Sequence, residues 1–314
     1  MPEFQPGEAL AERESPIQLS ILIVTYNSSS TIRVCMDSVL QELNQLNAEV
    51  IVVDNHSTDE TVSILDEFSS RNAKLQIETN RTNRGFAVGN NQGLEMARGQ
   101  HILILNPDTI LQSGVLKGLL IELEKDGKIG VVAPQLQFPD GRVQRTCRRF
   151  PRHSDVIYNV FGLANLFPGN RQFNGWKMGD FDHKTRQEVD QPAGAALLVR
   201  GDLLRSLHGF DENFPMFFND VDLCKRIKDA GYAIWYLPEY TIQHLGGVSV
   251  KQVKMKMTVS SHVSFFRYFE KHFTRMYQQP LNFIVGMLLY LSLIPRLAVL
   301  LLFKGQRTTS RETL

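Results

Sequence analysis

Cysteine is scarce: Cys35, Cys147 and Cys224 are the three in 314 residues, and no two stand in C-x-x-C spacing. An odd, dispersed set argues against a disulfide framework and a zinc site. It predicts reduced thiols in a cytoplasmic protein, with Cys35 and Cys224 as packing residues inside helices. An excess of charge of one sign is missing too. A formal net charge of +1 offers a nucleic acid no electrostatic footprint, and no nucleic-acid fold signature accompanies it, so no nucleic-acid partner is expected. The first residues lack the apolar core of a signal peptide; rich in Pro and Glu, residues 1–17 are predicted as a flexible start with no export implied. There is no G-x-x-x-x-G-K-[ST], which argues against a P-loop NTPase. Thr25-Tyr26-Asn27-Ser28 follows the first strand where a dinucleotide oxidoreductase would carry G-x-G-x-x-G.

What is present is an alternation of short apolar runs and helical patterns. Leu19 to Val24, Val50 to Val53, Leu75 to Thr79 and Ile102 to Leu105 read as strands, and the segments between them carry helix signals, with Ser57 or Thr58 able to cap a helix starting near Asp59. This is the signature of a parallel sheet built from βαβ units, predicting an α/β fold. Each run ends in a polar cluster, and ligands bind at the carboxyl ends of such strands. The ligand expected there is a nucleotide. After the fourth run, Asn106-Pro107-Asp108 sets a carboxylate where it can hold a metal ion against a phosphate, although the same three residues also make an ordinary turn. Gly85, Gly89 and Gly93 open the helix after the third run at a spacing of four, which suits close helix-to-sheet packing or approach to a ligand.

Six segments taken together resemble the family-two inverting glycosyltransferases of the GT-A fold, in their rhamnosyltransferase-like branch of bacterial surface polysaccharide synthesis. They are SILIVTYNSSSTIRVCMDSVL, VIVVDNHSTDETV, NRGFAVGNNQGLEMARGQHILILNPDT, QPAGAALLVRGDLL, GFDENFPMFFNDVDLCKRIKDAGY and HLGGVSV, in the family's order over roughly residues 19 to 250. The resemblance implies the nucleotide-diphospho-sugar transferase fold, Rossmann-like with a mostly parallel sheet. It implies that Thr25, Tyr26, Asn27, Asp54 and Asn55 line a nucleobase and ribose pocket, and that Asn83, Arg84, Gly85 and Asn90 contact the base, sugar or diphosphate. Asp108 matches the last carboxylate of a D-x-D motif that holds Mg²⁺ or Mn²⁺ on the diphosphate. Asn106 stands at the first position of that motif, on the donor side, and removes one negative charge from the metal site.

In the fifth segment, Phe217-Phe218-Asn219-Asp220-Val221-Asp222 heads an amphipathic helix. By the resemblance Asp220 is the general base that deprotonates the acceptor hydroxyl, and Asn219 replaces the usual Glu. The flanking Phe217 and Phe218 would desolvate that carboxylate and raise its proton affinity. Acidic residues in a first turn also simply favour the positive end of a helix. His244, after an expected strand Ala233 to Leu237, is by the resemblance a metal or diphosphate ligand, with Gly246-Gly247 folding over the phosphates; a lone His is more often structural.

Between these clusters Arg142, Arg145, Arg148, Arg149, Arg152 and His153 stand near Phe161, Phe167, Phe173 and Trp176, either as a solvated basic loop or as a site for a lipid diphosphate. Arg148, Arg149, Trp176, Phe217 and Asp222 are the acceptor-site candidates. Residues 251 to 279 hold six Lys or Arg against one Glu in an amphipathic pattern suited to an anionic membrane surface. Leu281 to Phe303 is a predominantly apolar run interrupted by Pro295-Arg296, compatible with one crossing, a re-entrant hairpin or a buried helix.

The expected organisation is a flexible 1–17, a catalytic domain at 18–250 and a membrane-associating helical region at 251–314. The expected reaction is inverting transfer of L-rhamnose from dTDP-L-rhamnose to a polyprenyl-diphosphate-linked saccharide. It would occur at the cytoplasmic face of the inner membrane, with the protein peripheral or monotopic and a homodimer left open. Alternatives are a UDP-sugar donor, a non-catalytic sugar-nucleotide-binding protein, and a nucleotidyltransferase. The last needs a basic loop that Thr25 to Ser30 does not supply.

Overall fold

A computed structural model describes residues 16–246 and 254–308 of the chain. The expected flexible start, but for its last two residues, lies outside the described residues, as does Gly247.

The four apolar runs form strands β1 (Leu19–Thr25), β2 (Ala48–Asp54), β3 (Leu75–Thr79) and β4 (His101–Leu105). Helices α1 (Ile32–Leu43), α2 (Thr61–Ser69) and α3 (Phe86–Met96) connect them. All four strands are mutually parallel in the order β3-β2-β1-β4. β1, β2 and β4 are buried along their whole length, so both faces must be covered, which is why they are near-continuous hydrophobic runs. α3 packs closely on this sheet: a Cβ at Gly89 would come within 2.8 Å of Val24. α2 begins at Thr61, whose N–H is accepted by Asp59 at 3.1 Å. The hydroxyls expected as caps are engaged elsewhere, Ser57 Oγ donating to Asp54 and Thr58 Oγ1 to Asn27.

The chain continues through β5 (Thr109–Leu111), α4 (Val115–Glu124), β6 (Ile129–Gln137), α5 (His153–Val160), α6 (Leu163–Leu166) and β7 (Gln187–Glu188). It then forms β8 (Ala196–Arg200), α7 (Gly201–Ser206), α8 (Asn219–Asp229) and β9 (Ala233–His244). These strands extend the sheet as β4-β8-β6-β9-β5, with β7 paired to β9. β8 lies antiparallel to β4 and β6, so the sheet is mixed. β9 is longer than the expected strand. Its register against β6 slips between Leu237 and Thr241, because Pro238 has no N–H for the ladder, and the strand resumes to end at His244.

Two long helices follow, α9 (Lys254–His272) and α10 (Gln279–Thr308). They are fastened to the sheet domain by a small core of Val156, Phe214, Val221, Tyr268, Phe269, Val285 and Leu289. His153 stacks on Phe269 at 4.7 Å and meets Asn282 Oδ1 at 2.7 Å. α9 is therefore no free surface helix: Tyr268 and Phe269 are fully buried, and Lys271 and His272 reach a buried carboxylate. α10 runs unbroken through Pro295, against a re-entrant hairpin. Residues 276–297 are long and apolar enough to cross a membrane, and only 17% of the most apolar stretch is buried, against a core helix.

Candidate active site

The carboxyl ends of β1 and β2 are tied together by Asp54. Its carboxylate accepts the Thr25 hydroxyl at 2.7 Å and the Ser57 N–H at 2.8 Å, while Ser57 Oγ accepts the Asn27 N–H at 2.9 Å. Asn27, in the left-handed region at φ 49°, in turn accepts the Thr58 N–H at 2.8 Å. The two loops thus form one wall of a cleft of about 370 Å³, presenting Thr25, Tyr26, Asn27 and Asn55, with Asn83 and Gly85 adjoining. Asn55 is fixed from both sides, donating to Gly85 O at 3.0 Å and accepting from Asn80 at 3.0 Å. Gly85 has φ 89°, and the next residue's N–H donates to Pro215 O at 2.9 Å. That bond sets the Asn83–Gly85 loop against the Met216-Phe217 side of the cleft.

Three expected donor residues stand apart from this wall. Asp54 is 1% exposed and does not line the cleft, since its acceptor atoms are taken up in holding the loops. Asn90 is buried in α3, where its amide donates to Phe86 O at 2.9 Å. Arg84 is exposed and also does not line the cleft.

Asp108 and His244 meet because β5 pairs with β9, setting Thr109 opposite His244. The Gly246 N–H donates to Asp108 Oδ2 at 3.1 Å, and Asp108 Oδ1 lies 3.3 Å from His244 Nε2. The tautomer follows from Gln144. Its amide N–H donates to His244 O at 2.6 Å, so its carbonyl, 2.8 Å from Nδ1, must accept from that nitrogen. Nε2 of the neutral ring is then a lone pair facing a carboxylate, a contact that needs positive charge on or between the two atoms. The pair fits a hard divalent cation that takes its other ligands from diphosphate oxygens and water, because among the described residues no group of three or more His, Cys, Asp or Glu could enclose one. Asn106 lines the same cleft, held by its N–H to Ala195 O at 2.9 Å.

Across the cleft, Asp220 stands in the first turn of α8. Burial pushes its carboxyl above the ordinary carboxylate range, and bonds from the N–H groups of Gly194 (3.0 Å) and Val221 (2.9 Å) and from Gln191 Nε2 (3.1 Å) do not cancel that effect. The result is a carboxylate oriented by fixed donors with raised proton affinity. Phe217 lines the cleft beside it, but Phe218, in the left-handed region at φ 65°, turns away onto Phe265 at 4.7 Å.

Asp222 is corrected as an acceptor or base candidate. Two residues on, it points about 200° around the helix from Asp220. It is 0% exposed and bound by Arg226 (2.8 Å), Lys271 (2.7 Å) and His272 (2.8 Å). Burial alone would raise its carboxyl, but the bonds from His272 and Lys271 and the charges of Arg226 and Lys271 hold it at about 2.

The other acceptor candidates flank the cleft without lining it. Arg149 is spent on Asp180 at 3.0 Å and Gly175 O at 2.8 Å. Arg148 is half-buried, and Trp176 packs on Phe265 at 5.1 Å. Sequence reasoning assigned no role to Gln191, Gly194 or Gln144. The first two lie in the quoted Gln-Pro-Ala-Gly run, which was signal enough; Gln144 had none.

The family model Glycosyl transferase family 2 matches residues 20–187. An uncharacterized protein, y4gI, of Sinorhizobium fredii is 25% identical over 75% of this chain, which spans 25% of that protein's length. An N-acetylglucosaminyl-diphospho-decaprenol L-rhamnosyltransferase of Mycobacterium tuberculosis is 25% identical over 72% of this chain and 75% of its own. Among solved structures, the mannosyltransferase PcManGT from Pyrobaculum calidifontis in complex with GDP-Man and Mn2+ has a similar fold. Its TM-score is 0.57 at 17% identity, covering 97% of this chain and 84% of that one.

Proposed function

The chain belongs to glycosyl transferase family 2, and on that premise we propose that it transfers L-rhamnose from dTDP-L-rhamnose to a saccharide carried on polyprenyl diphosphate. The setting would be the cytoplasmic face of the membrane, in surface polysaccharide synthesis. The observation that carries this reading is a single cleft with Asp108 and His244 on one side and the proton-seeking Asp220 on the other. The donor and acceptor are taken from the named activity of the mycobacterial relative. The exposed apolar face of α10 supports work on a lipid-borne substrate.

In the proposed mechanism, Thr25, Tyr26, Asn27 and Asn55 hold the nucleoside, and Asp54 keeps their two loops in register. Asn83, Gly85 and Asn106 border the sugar and diphosphate. A bound Mg²⁺ or Mn²⁺ at Asp108 and His244 would supply charge neutralisation for the departing nucleoside diphosphate. Asp220 accepts the proton of the acceptor hydroxyl as that oxygen bonds the anomeric carbon, and attack opposite the leaving group inverts the configuration.

A panel of dTDP- and UDP-sugars given to the full chain in membranes, with lipid-linked product analysed by mass and anomeric configuration, tests the proposal. One added deoxyhexose from dTDP-L-rhamnose, inverted, is the expected product. Turnover with a UDP-sugar alone would overturn the donor assignment, and no transfer from any donor would overturn the enzyme reading.

A further inference from the structure

Three of the five arginines between residues 142 and 152 pair with a carboxylate: Arg142 with Asp140, Arg149 with Asp180, Arg152 with Asp155. Among the described residues Arg148, Lys177 and Arg296 have no such partner, yet the fold gathers them. The Arg149 N–H donates to Trp176 O at 2.9 Å, setting residues 148–149 beside 176–177. Trp176 packs on Phe265 of α9. One turn earlier on the same helix, His262 Nε2 meets Arg296 Nη1 of α10 at 3.1 Å. His262 Nδ1 lies 2.8 Å from Thr258 O and so carries the proton, which leaves Nε2 to accept from Arg296. A neutral histidine thus fixes the guanidinium in place without cancelling its charge.

Lys177 feels both neighbours. Its ammonium is depressed below the ordinary lysine range by burial and by the charges of Arg148 and Arg296. Like charges gathered around the half-buried Arg148 and Lys177, with the exposed Arg296 at the rim, repel one another, and an anion bound among them relieves the repulsion. Next to Lys177, the Trp176 indole N–H is buried with no acceptor among the described residues, and orphan buried donors are uncommon. The cluster is also linked to the proposed base, whose charge acts on the Arg148 guanidinium. The Arg148 N–H donates to Gln191 O at 2.7 Å, and the Gln191 side chain holds Asp220. On its other side begins the exposed apolar face of α10, with Phe283, Met287, Tyr290 and Ile294.

We propose that Arg148, Lys177 and Arg296 bind the diphosphate of the lipid-linked acceptor, setting its sugar at Asp220 and its prenyl chain along α10. Arginine and lysine suit a phosphate by charge and donor geometry. The assignment rests on the lipid-linked reading above, so the test uses binding as well as transfer.

Farnesyl diphosphate and farnesol are titrated onto the full chain in phosphatidylcholine nanodiscs. Lys177→Gln and Arg296→Gln should each weaken farnesyl diphosphate at least about tenfold, as loss of a charge-assisted hydrogen bond to a phosphate does, with farnesol and donor nucleotide affinities unchanged. Arg296→Lys should retain most of the binding. In transfer assays KM for a polyprenyl-diphosphate acceptor should rise while kcat holds, and KM for the same saccharide on an uncharged alkyl group should not move. Wild-type affinity for farnesyl diphosphate in either variant overturns the site. So does a loss seen only on phosphatidylglycerol vesicles, which would make it a phospholipid headgroup contact. If farnesyl diphosphate binds as expected but no sugar is transferred, the enzyme reading falls and the anion site stands.

Discussion

Gln191 Nε2 donates to Asp220 Oδ2 at 3.1 Å, joining the loop before β8 to the first turn of α8 at the floor of the cleft. A hydrogen bond to the charged form lowers a carboxyl pKa, and burial of Asp220 more than offsets it. The acid limb of kcat/KM should therefore lie above the ordinary carboxylate value of about 4. Gln191→Leu removes one bond that favours the anion and should move that limb to higher pH. A pH–rate profile of the two proteins checks both statements, and a limb unmoved by the substitution would separate Gln191 from the base.

Asp108 and His244 are expected to act on the diphosphate alone. Asp108→Ala should weaken donor binding, and a chelator should weaken it in the wild type but add little in the variant. Titration calorimetry with the nucleoside diphosphate reads this directly. Tight donor binding in excess chelator would leave His244 and Asp108 as a structural pair.

Asp222 carries stability and not chemistry. Its carboxyl is held at about 2, against about 4 in an unfolded chain. Its contribution is complete above about pH 4, is lost as pH falls through about 2, and on that shift amounts to about 2 to 3 kcal/mol. Asp222→Ala should cost about 3 to 5 kcal/mol, because Lys271, His272 and Arg226 lose a buried partner. Denaturant unfolding at several pH values measures both effects.

Membrane attachment should reside in the outer face of α10. Phe283→Ser, Met287→Ser and Leu291→Ser together should release the protein into the soluble fraction with donor affinity intact, since all three side chains are exposed. Deleting the helix is a different experiment. Val285, Leu289 and Asn282 are buried against the sheet domain, so removal from Gln279 onward should lower the melting temperature as well.

The position of Asp108 is legible because periodicity locates β4 and Asn-Pro-Asp ends it, and that of Asp220 because the family resemblance marks the head of α8. What the sequence could not separate was a polar residue facing the cleft from one holding the wall. Thr25 and Asp54 are register partners at adjacent strand ends, and only Thr25 borders the cleft. The packing of α9 on the sheet domain is hidden for a similar reason. Its cations match a membrane surface by composition, and nothing local reveals that Lys271 and His272 answer a carboxylate about fifty residues earlier. The long β9 was hidden by Pro238, which ends a strand in sequence logic but only interrupts one here. Gln144, a hundred residues from His244, sets the imidazole tautomer through contacts that no linear pattern announces.

The central claim is that Asp220 takes the acceptor's proton, and the most direct measurement is single-turnover transfer by Asp220→Asn beside its donor affinity. The account predicts a fall in the transfer rate of at least about a hundredfold with donor affinity within about twofold of wild type. Transfer at a near-normal rate would contradict it. Asp222 could not then be the substitute, being sealed among Arg226, Lys271 and His272, and the base would have to be sought elsewhere in the cleft.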